Sequence, residues 1–274
     1  MKVFAHRGAS DVYAEHTRAA FAHALAVGAH GIETDVQLTA DGQLICWHDS
    51  TLNRTSSGRG LVREHRLADL RMLDVYSWKN TSPLPYEYGN ADEQLVTLDQ
   101  LTHMLLGAGR PVELAVEMKI DSPNDGAIEA AVLDWLRRWQ WDATTGTLRP
   151  YGQPSQLSVS IMSFSLDALR RVAEVVPASK SCPLFVADDL PSLGIGTSSW
   201  TAPAQLLGPS AGWLIDRPAM LDSWTDVGRL VRMWTIETDE ELHTARNLGV
   251  QEVTVNDPQW ALQRLGAGLE PVPL

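Results

Sequence analysis

Two histidines, three carboxylates and two basic side chains stand out in this chain because each ends, or lies within, an otherwise apolar strand-like stretch. Val3-Phe4-Ala5 runs directly into His6-Arg7-Gly8. That is poor packing material, and it suits a strand end that presents a proton carrier beside a fixed positive charge. In Ile32-Glu33-Thr34-Asp35-Val36, side chains alternate across a strand, so Glu33 and Asp35 share one face and Ile32 and Val36 the other. The same alternation in Val116-Glu117-Met118-Lys119-Ile120 puts Glu117 and Lys119 together. Like charges side by side in a fold's interior are costly without a cation. Three carboxylates from neighbouring strands, with coordination positions left open, suit a hard ion such as Mg²⁺ or Ca²⁺. A salt-bridged core, with Lys119 neutralising the acids, is the other reading these residues leave open.

His48 ends a run that returns from Glu33's strand through the turn Ala40-Asp41-Gly42, an Asp-Gly hairpin signal. It should therefore reach the same end of the fold as His6. His16 heads the first helix just after the His6 loop and can touch that site. His23, His30, His65, His103 and His243 fall in helices, turns or the 50–94 segment and read as surface or packing residues.

The elements that must position these groups alternate in kind. Strand-like stretches cover 2–6, 31–38, 112–120, 157–163, 181–187, 212–216, 231–237 and 252–256, with a return strand at 43–48. Helix-period stretches cover 17–27, 97–106, 126–140, 165–176, 202–207, 220–230, 239–248 and 259–265. Eight strand–helix units in a chain of 274 residues predict an α/β fold, a (β/α)₈ barrel forming one domain over 1–274. The segment 50–94 breaks the alternation and reads as an insertion after the second strand. Its Tyr76, Trp78, Tyr86 and Tyr88 are expected to overhang the barrel mouth and help form a substrate entrance.

A hydrophobic fraction of 44% supports a large core, and the chain has no apolar run long enough to span a membrane. The formal net charge of -12, from 22 basic and 34 acidic residues, disfavours nucleic acid and anionic membrane surfaces as partners. Lys2 leads straight into the first strand, so no signal peptide is expected. Cys46 and Cys182, the only cysteines, lie in apolar stretches and read as reduced core residues, which predicts a cytoplasmic protein.

Taken in order, His6-Arg7-Gly8-Ala9-Ser10, Glu15-His16-Thr17, Gly31-Ile32-Glu33-Thr34-Asp35-Val36, Thr39-Ala40-Asp41-Gly42, His48-Asp49, Leu52-Asn53-Arg54-Thr55, Glu117-Met118-Lys119 and Trp234-Thr235 give the chain a close resemblance to a known family. The chain resembles the glycerophosphodiester phosphodiesterases from its first strand to its last. The resemblance implies a TIM barrel that hydrolyses small-molecule glycerophosphodiesters to glycerol 3-phosphate and an alcohol, with Mg²⁺, Ca²⁺ or Mn²⁺ as cofactor. By matching motif it implies metal ligands Glu33, Asp35 and Glu117, an acid–base pair His6 and His48, phosphate binders Arg7 and Lys119, and a substrate-lining Trp234.

The chemistry asks for those groups. Arg7 can fork onto a phosphate and Lys119 adds a point charge, which builds a local positive site in an acidic protein. An alkoxide is a poor leaving group and needs protonation, while the nucleophile, water or a neighbouring glycerol hydroxyl, needs deprotonation. Three residues depart from the family's common pattern. His16 stands where Asn is frequent, Glu237 where Asn often follows Trp-Thr, and Asn256 where the last strand often carries Asp. They are expected to bear on substrate preference and to touch neither the metal site nor the histidine pair. The alternatives are a lysophospholipase D or sphingomyelinase D-like phosphodiesterase on the same barrel, or a non-catalytic phosphate-binding barrel.

Overall fold

The computed structural model describes residues 1–79, 83–120, 125–186 and 204–266. Eight parallel strands close into a barrel: β1 (Lys2–His6), β2 (Gly31–Leu38), β4 (Val112–Met118), β5 (Leu157–Ser163), β6 (Ser181–Phe185), β7 (Leu206–Pro209), β8 (Leu230–Ile236) and β9 (Glu252–Val255). Closure comes from β1, which pairs with β2 on one side and β9 on the other. A ninth strand, β3 (Leu44–Cys46), is the hairpin arm that runs antiparallel to β2.

The helices pack outside. They are α1 (Arg18–Ala26), α2 (Leu67–Leu70), α3 (Leu98–Leu106), α4 (Ala127–Arg138), α5 (Leu166–Val172), α6 (Ala211–Ile215), α7 (Pro218–Thr225), α8 (Asp239–Leu248) and α9 (Pro258–Arg264). Local chemistry starts them. Thr17 caps α1 by accepting from the Ala20 amide, and Thr97 with Gln100, and Thr238 with Glu241, form reciprocal capping boxes on α3 and α8. Outward strand residues Ile32, Val36, Val116 and Met118 share one core with Phe21 of α1, Leu101 of α3 and Trp135 of α4. Trp213, Trp224, Leu242 and Ala261 build the matching core behind β7, β8 and β9.

The sequence expectation fails in one region. A strand was expected at 212–216, but Ala211–Ile215 is a helix, and the strand is the four-residue stretch Leu206–Pro209. A short apolar run carries no period that separates a buried strand from a buried helix. The helix expected at 202–207 goes with it: 206–207 are strand, and 202–203 lie outside the described residues, as does 187, the last residue of the strand expected at 181–187. The helix expected at 220–230 begins earlier, at Pro218, whose fixed φ suits a first helical turn.

The barrel interior is filled in layers. Phe4, Ala115, Met162, Cys182, Leu184 and Leu206 pack together with Trp234 at their edge. Gly31 is required here, because a Cβ at that position would sit 2.3 Å from Phe4 Cδ1. At the strands' N-terminal end lies an ionic layer. Arg232, 1% exposed, bonds Glu113 at 2.6 Å, Glu252 at 2.9 Å and Ser160 at 2.9 Å, with its guanidinium carbon 3.9 Å from the Phe4 ring centre. Lys2 pairs with the same two glutamates.

The insertion has a core of its own, formed by Leu52, Val62, Leu70 and Val75 against Ile45, Trp47 and Leu95. Cys46 and Cys182 are buried and unbridged. Among the described residues no helix is long and apolar enough to cross a membrane.

Candidate active site

Strand β1 ends at His6, and the chain then turns through Arg7 and Gly8, both with positive φ. Gly8 is needed because its φ is +80° and a Cβ there would meet the Ala20 carbonyl carbon of α1 at 2.7 Å. The turn is anchored to β2: the Arg7 amide donates to the Glu33 carbonyl at 3.0 Å and to Glu33 Oε2 at 3.0 Å.

Glu33 and Asp35 of β2 and Glu117 of β4 each bring a carboxylate oxygen within 4.8 Å of the others, and all three are buried. Asp35 and Glu117 are direct partners across the β2–β4 register. Two cations balance them. Lys119 Nζ lies 3.0 Å from Asp35 Oδ1 and 2.6 Å from Glu117 Oε1, and Arg7 Nε lies 3.2 Å from Asp35 Oδ2. Burial and the neighbouring Asp35 and Glu117 charges push the Glu33 carboxyl well above its ordinary range. Burial and Asp35 likewise push Glu117 up to about 8. Burial also works against Asp35, but its hydrogen bond from His16 and the charges of Lys119 and Arg7 outweigh it and hold that carboxyl well down. Two of the three acids thus resist ionising beside the third. An all-oxygen donor set whose two reluctant acids a cation would help to ionise fits a hard divalent ion.

The histidines face the same cavity with different partners. His6 Nδ1 donates to the Asn256 side-chain oxygen at 2.7 Å, and His48 Nδ1 donates to Asp49 Oδ1 at 2.6 Å. Each bond engages Nδ1 and leaves Nε2 for the cavity. Burial and the Arg7 charge lower His6 to about 4. Burial, with Arg7 and Lys119, also lowers His48, against the pull of Asp35 and Asp49.

The cavity is about 290 Å³ and is lined by His6, Arg7, Glu33, His48, Glu117, Lys119 and Trp234, together with Phe164, Arg232 and Thr254. It therefore gathers seven of the eight residues singled out in the sequence, and the eighth, Asp35, is ion-paired beneath Arg7 and Lys119. Trp234 donates its indole N–H to the Gly208 carbonyl at 2.7 Å and meets Phe164 edge to face at 5.4 Å.

Three expectations need correction. His16 and Asn256 do touch the site: His16 Nε2 lies 2.9 Å from Asp35 Oδ2, and Asn256 is the partner of His6. Glu237 is exposed, and its amide donates to Glu241. The insertion's described aromatic residues do not line the cavity, and neither does any other described residue of 50–94. Tyr76 and Tyr88 pack against Ala14 and Ala19, and Trp78 donates to the Val75 carbonyl beside its own chain. A packing surface against α1 offers more buried area to an aromatic ring than a rim does, and alternation says nothing about which the ring takes.

Sequence reasoning also missed Phe164 and Arg232 as lining residues. Arg232 could have been found, because it lies two residues before Trp234 on β8 and shares its face.

The chain matches the Glycerophosphoryl diester phosphodiesterase family over residues 6–260. It is 34% identical over 256 residues, 93% of this chain and 89% of the relative, to the Mycobacterium tuberculosis protein named "Probable glycerophosphodiester phosphodiesterase 1". It is 28% identical to a Bacillus subtilis glycerophosphodiester phosphodiesterase, covering 93% of this chain and 83% of that one. Among solved structures, an Oleispira antarctica phosphodiesterase in complex with its product sn-glycerol-3-phosphate matches with a TM-score of 0.77 at 23% identity, covering 97% of each chain. At that identity the likeness is one of fold.

Proposed function

The chain is an enzyme of the glycerophosphoryl diester phosphodiesterase family, and from that premise we propose a metal-dependent hydrolysis in which His6 is the general base and His48 the general acid. The substrate is a small glycerophosphodiester, and the products are glycerol 3-phosphate and an alcohol. The observation that carries the assignment is the contrast between the histidines' partners: a neutral amide oxygen on His6 and a carboxylate on His48.

A base must be neutral before it acts. Asn256 offers no charge to stabilise an imidazolium, which keeps His6 ready to take a proton from the attacking hydroxyl. An acid must carry its proton to the bond that breaks. Asp49 favours the protonated form of His48, which suits it to hand that proton to the leaving alkoxide. Arg7 and Lys119 hold the phosphate, and Trp234 with Phe164 forms the apolar wall beside it.

Glu33, Asp35 and Glu117 would hold the divalent ion, Mg²⁺ or Ca²⁺ with Mn²⁺ also suited to such ligands; bound there, it would neutralise charge on the phosphate's non-bridging oxygens. The unbridged, buried Cys46 and Cys182 support a reducing, cytoplasmic setting. The test is release of glycerol 3-phosphate from glycerophosphocholine by the purified protein, with and without chelator. Release that is absent in Mg²⁺, Ca²⁺ and Mn²⁺ alike, or undiminished in excess chelator, overturns the reading.

A further inference from the structure

Arg54, in the insertion, makes four bonds to two carboxylates. Its Nε and Nη2 donate to Asp49 Oδ2 and Oδ1, each at 2.8 Å, and its Nη1 and Nη2 donate to Glu15 Oε2 and Oε1, each at 2.8 Å. The two oxygens that share Nη2 have other work. Asp49 Oδ1 also accepts from His48 Nδ1 at 2.6 Å, and Glu15 Oε1 also accepts from Arg7 Nη1 at 2.9 Å. One guanidinium N–H group therefore joins the partner of His48 to the partner of Arg7.

We propose that Arg54 is a positioning residue that sets the orientation of His48 and Arg7 together. The proposal rests on the reading of His48 as proton donor and Arg7 as phosphate binder. Three observations point to positioning rather than to general stability. The Arg54 side chain is 43% exposed and lies outside every apolar core cluster of the described residues, so its removal opens no cavity. Both pairs are nonetheless bidentate, which fixes the angle of each carboxylate as well as its distance. Arg7 is also shared with Asp35 at 3.2 Å, so the Glu15 bond decides which way its fork faces. Without Arg54, Glu15 and Asp49 are two neighbouring anions with no shared cation between them. Each then turns toward water, His48 loses its fixed ring angle, and Arg7 falls back onto Asp35. A lysine cannot replace this function, because an ammonium is a point charge without a fork.

The experiment uses the full-length enzyme loaded with its activating divalent ion, assayed on glycerophosphocholine. Arg54→Ala is expected to lower kcat by about 10- to 100-fold, the scale of a misplaced catalytic group, and to raise KM through Arg7, with the melting temperature nearly unchanged. Added guanidinium should restore part of kcat, and added methylammonium should not. In a His48→Ala background the Arg54→Ala change should have almost no further effect on kcat, since the group it orients is gone. Wild-type rates in Arg54→Ala, or an equal loss of kcat in both backgrounds, overturn the proposal. Should Arg54→Ala not fold, Arg54→Lys carries the test: it should lower kcat at unchanged melting temperature, and wild-type kinetics would overturn the proposal. Activity that survives intact in His48→Ala strikes instead at the underlying acid–base reading and removes the proposal with it. That result is distinct from a crippled His48→Ala beside an unaffected Arg54→Ala.

Discussion

His6 and Asn256 meet Nδ1 to Oδ1 at 2.7 Å across the seam where the first strand of the barrel lies beside the last. The partner is neutral, and the consequence is a testable pH dependence. Asn256→Asp replaces an amide oxygen with a carboxylate and stabilises the imidazolium, so the His6 pKa rises from about 4. A base must be unprotonated, so the acid limb of the kcat/KM profile should move to higher pH by roughly 1 to 2 units. An unmoved limb at saturating metal would show that His6 is not the group titrating there.

The histidines should also separate by leaving group. Replacing either by Ala should cost roughly 100- to 10,000-fold on glycerophosphocholine. A p-nitrophenyl phosphodiester expels a stabilised phenolate and needs little protonation. His48→Ala should recover much of its rate on that substrate, and His6→Ala should not. Recovery of His6→Ala alone reverses the two roles, and equal recovery of both sinks the acid–base division.

Metal removal should be visible without any assay of turnover. Because burial and the Asp35 charge hold Glu33 and Glu117 above their ordinary pKa, a cation should raise the melting temperature in a concentration-dependent way. Glu33→Gln should abolish most of that shift, yet leave the metal-free protein at least as stable as wild type. A metal-free variant that melts far below wild type would mean that Glu33 is needed for folding and not for metal.

The ionic layer at the other end of the barrel makes a prediction about acid. Burial works against Glu113, but Arg232, with Lys180 and Lys2, lowers its carboxyl to about 2 from an ordinary 4.5. A depressed folded-state pKa contributes stability that is present above the unfolded value and is lost as pH falls through the folded one. The contribution of Glu113, read as the difference in denaturant midpoint between wild type and Glu113→Gln, should therefore hold steady above about pH 4.5 and decline between there and pH 2. Arg232→Met leaves Glu113 and Glu252 facing each other and should cost about 3–5 kcal/mol at neutral pH. A loss below 1 kcal/mol would show that the layer relaxes readily.

The carboxylates, Lys119 and the two histidines were legible in the sequence because each depends only on strand alternation or on one hairpin. Glu33 and Asp35 share a face whatever the rest of the chain does. Asn256, Asp49, Glu15 and Arg54 were not legible as partners, because their positions depend on barrel closure and on loop paths. Asn256 reaches His6 only because β9 closes against β1. The fold class followed from the count of alternating units, although one strand and one helix were exchanged within 202–216. The strand there is four residues long, and the apolar stretch after it is no more helical in pattern than the strand itself.

Beneath the cavity Arg232 lies over Phe4 and is tied to glutamates on two strands, so the barrel axis is blocked. Among the described residues the floor of the cavity is therefore closed. Both fragments of a cleaved diester must depart by the route the intact molecule used to arrive. The alcohol fragment is released from the anion-holding groups at cleavage and leaves first. On the phosphate-holding roles proposed for Arg7 and Lys119, the phosphorylated fragment, which gains charge at the same moment, would linger against them. Departure of that fragment is then expected to limit turnover, and glycerol 3-phosphate is expected to inhibit competitively against the diester. A purely noncompetitive pattern would mean that glycerol 3-phosphate is not the last fragment to leave.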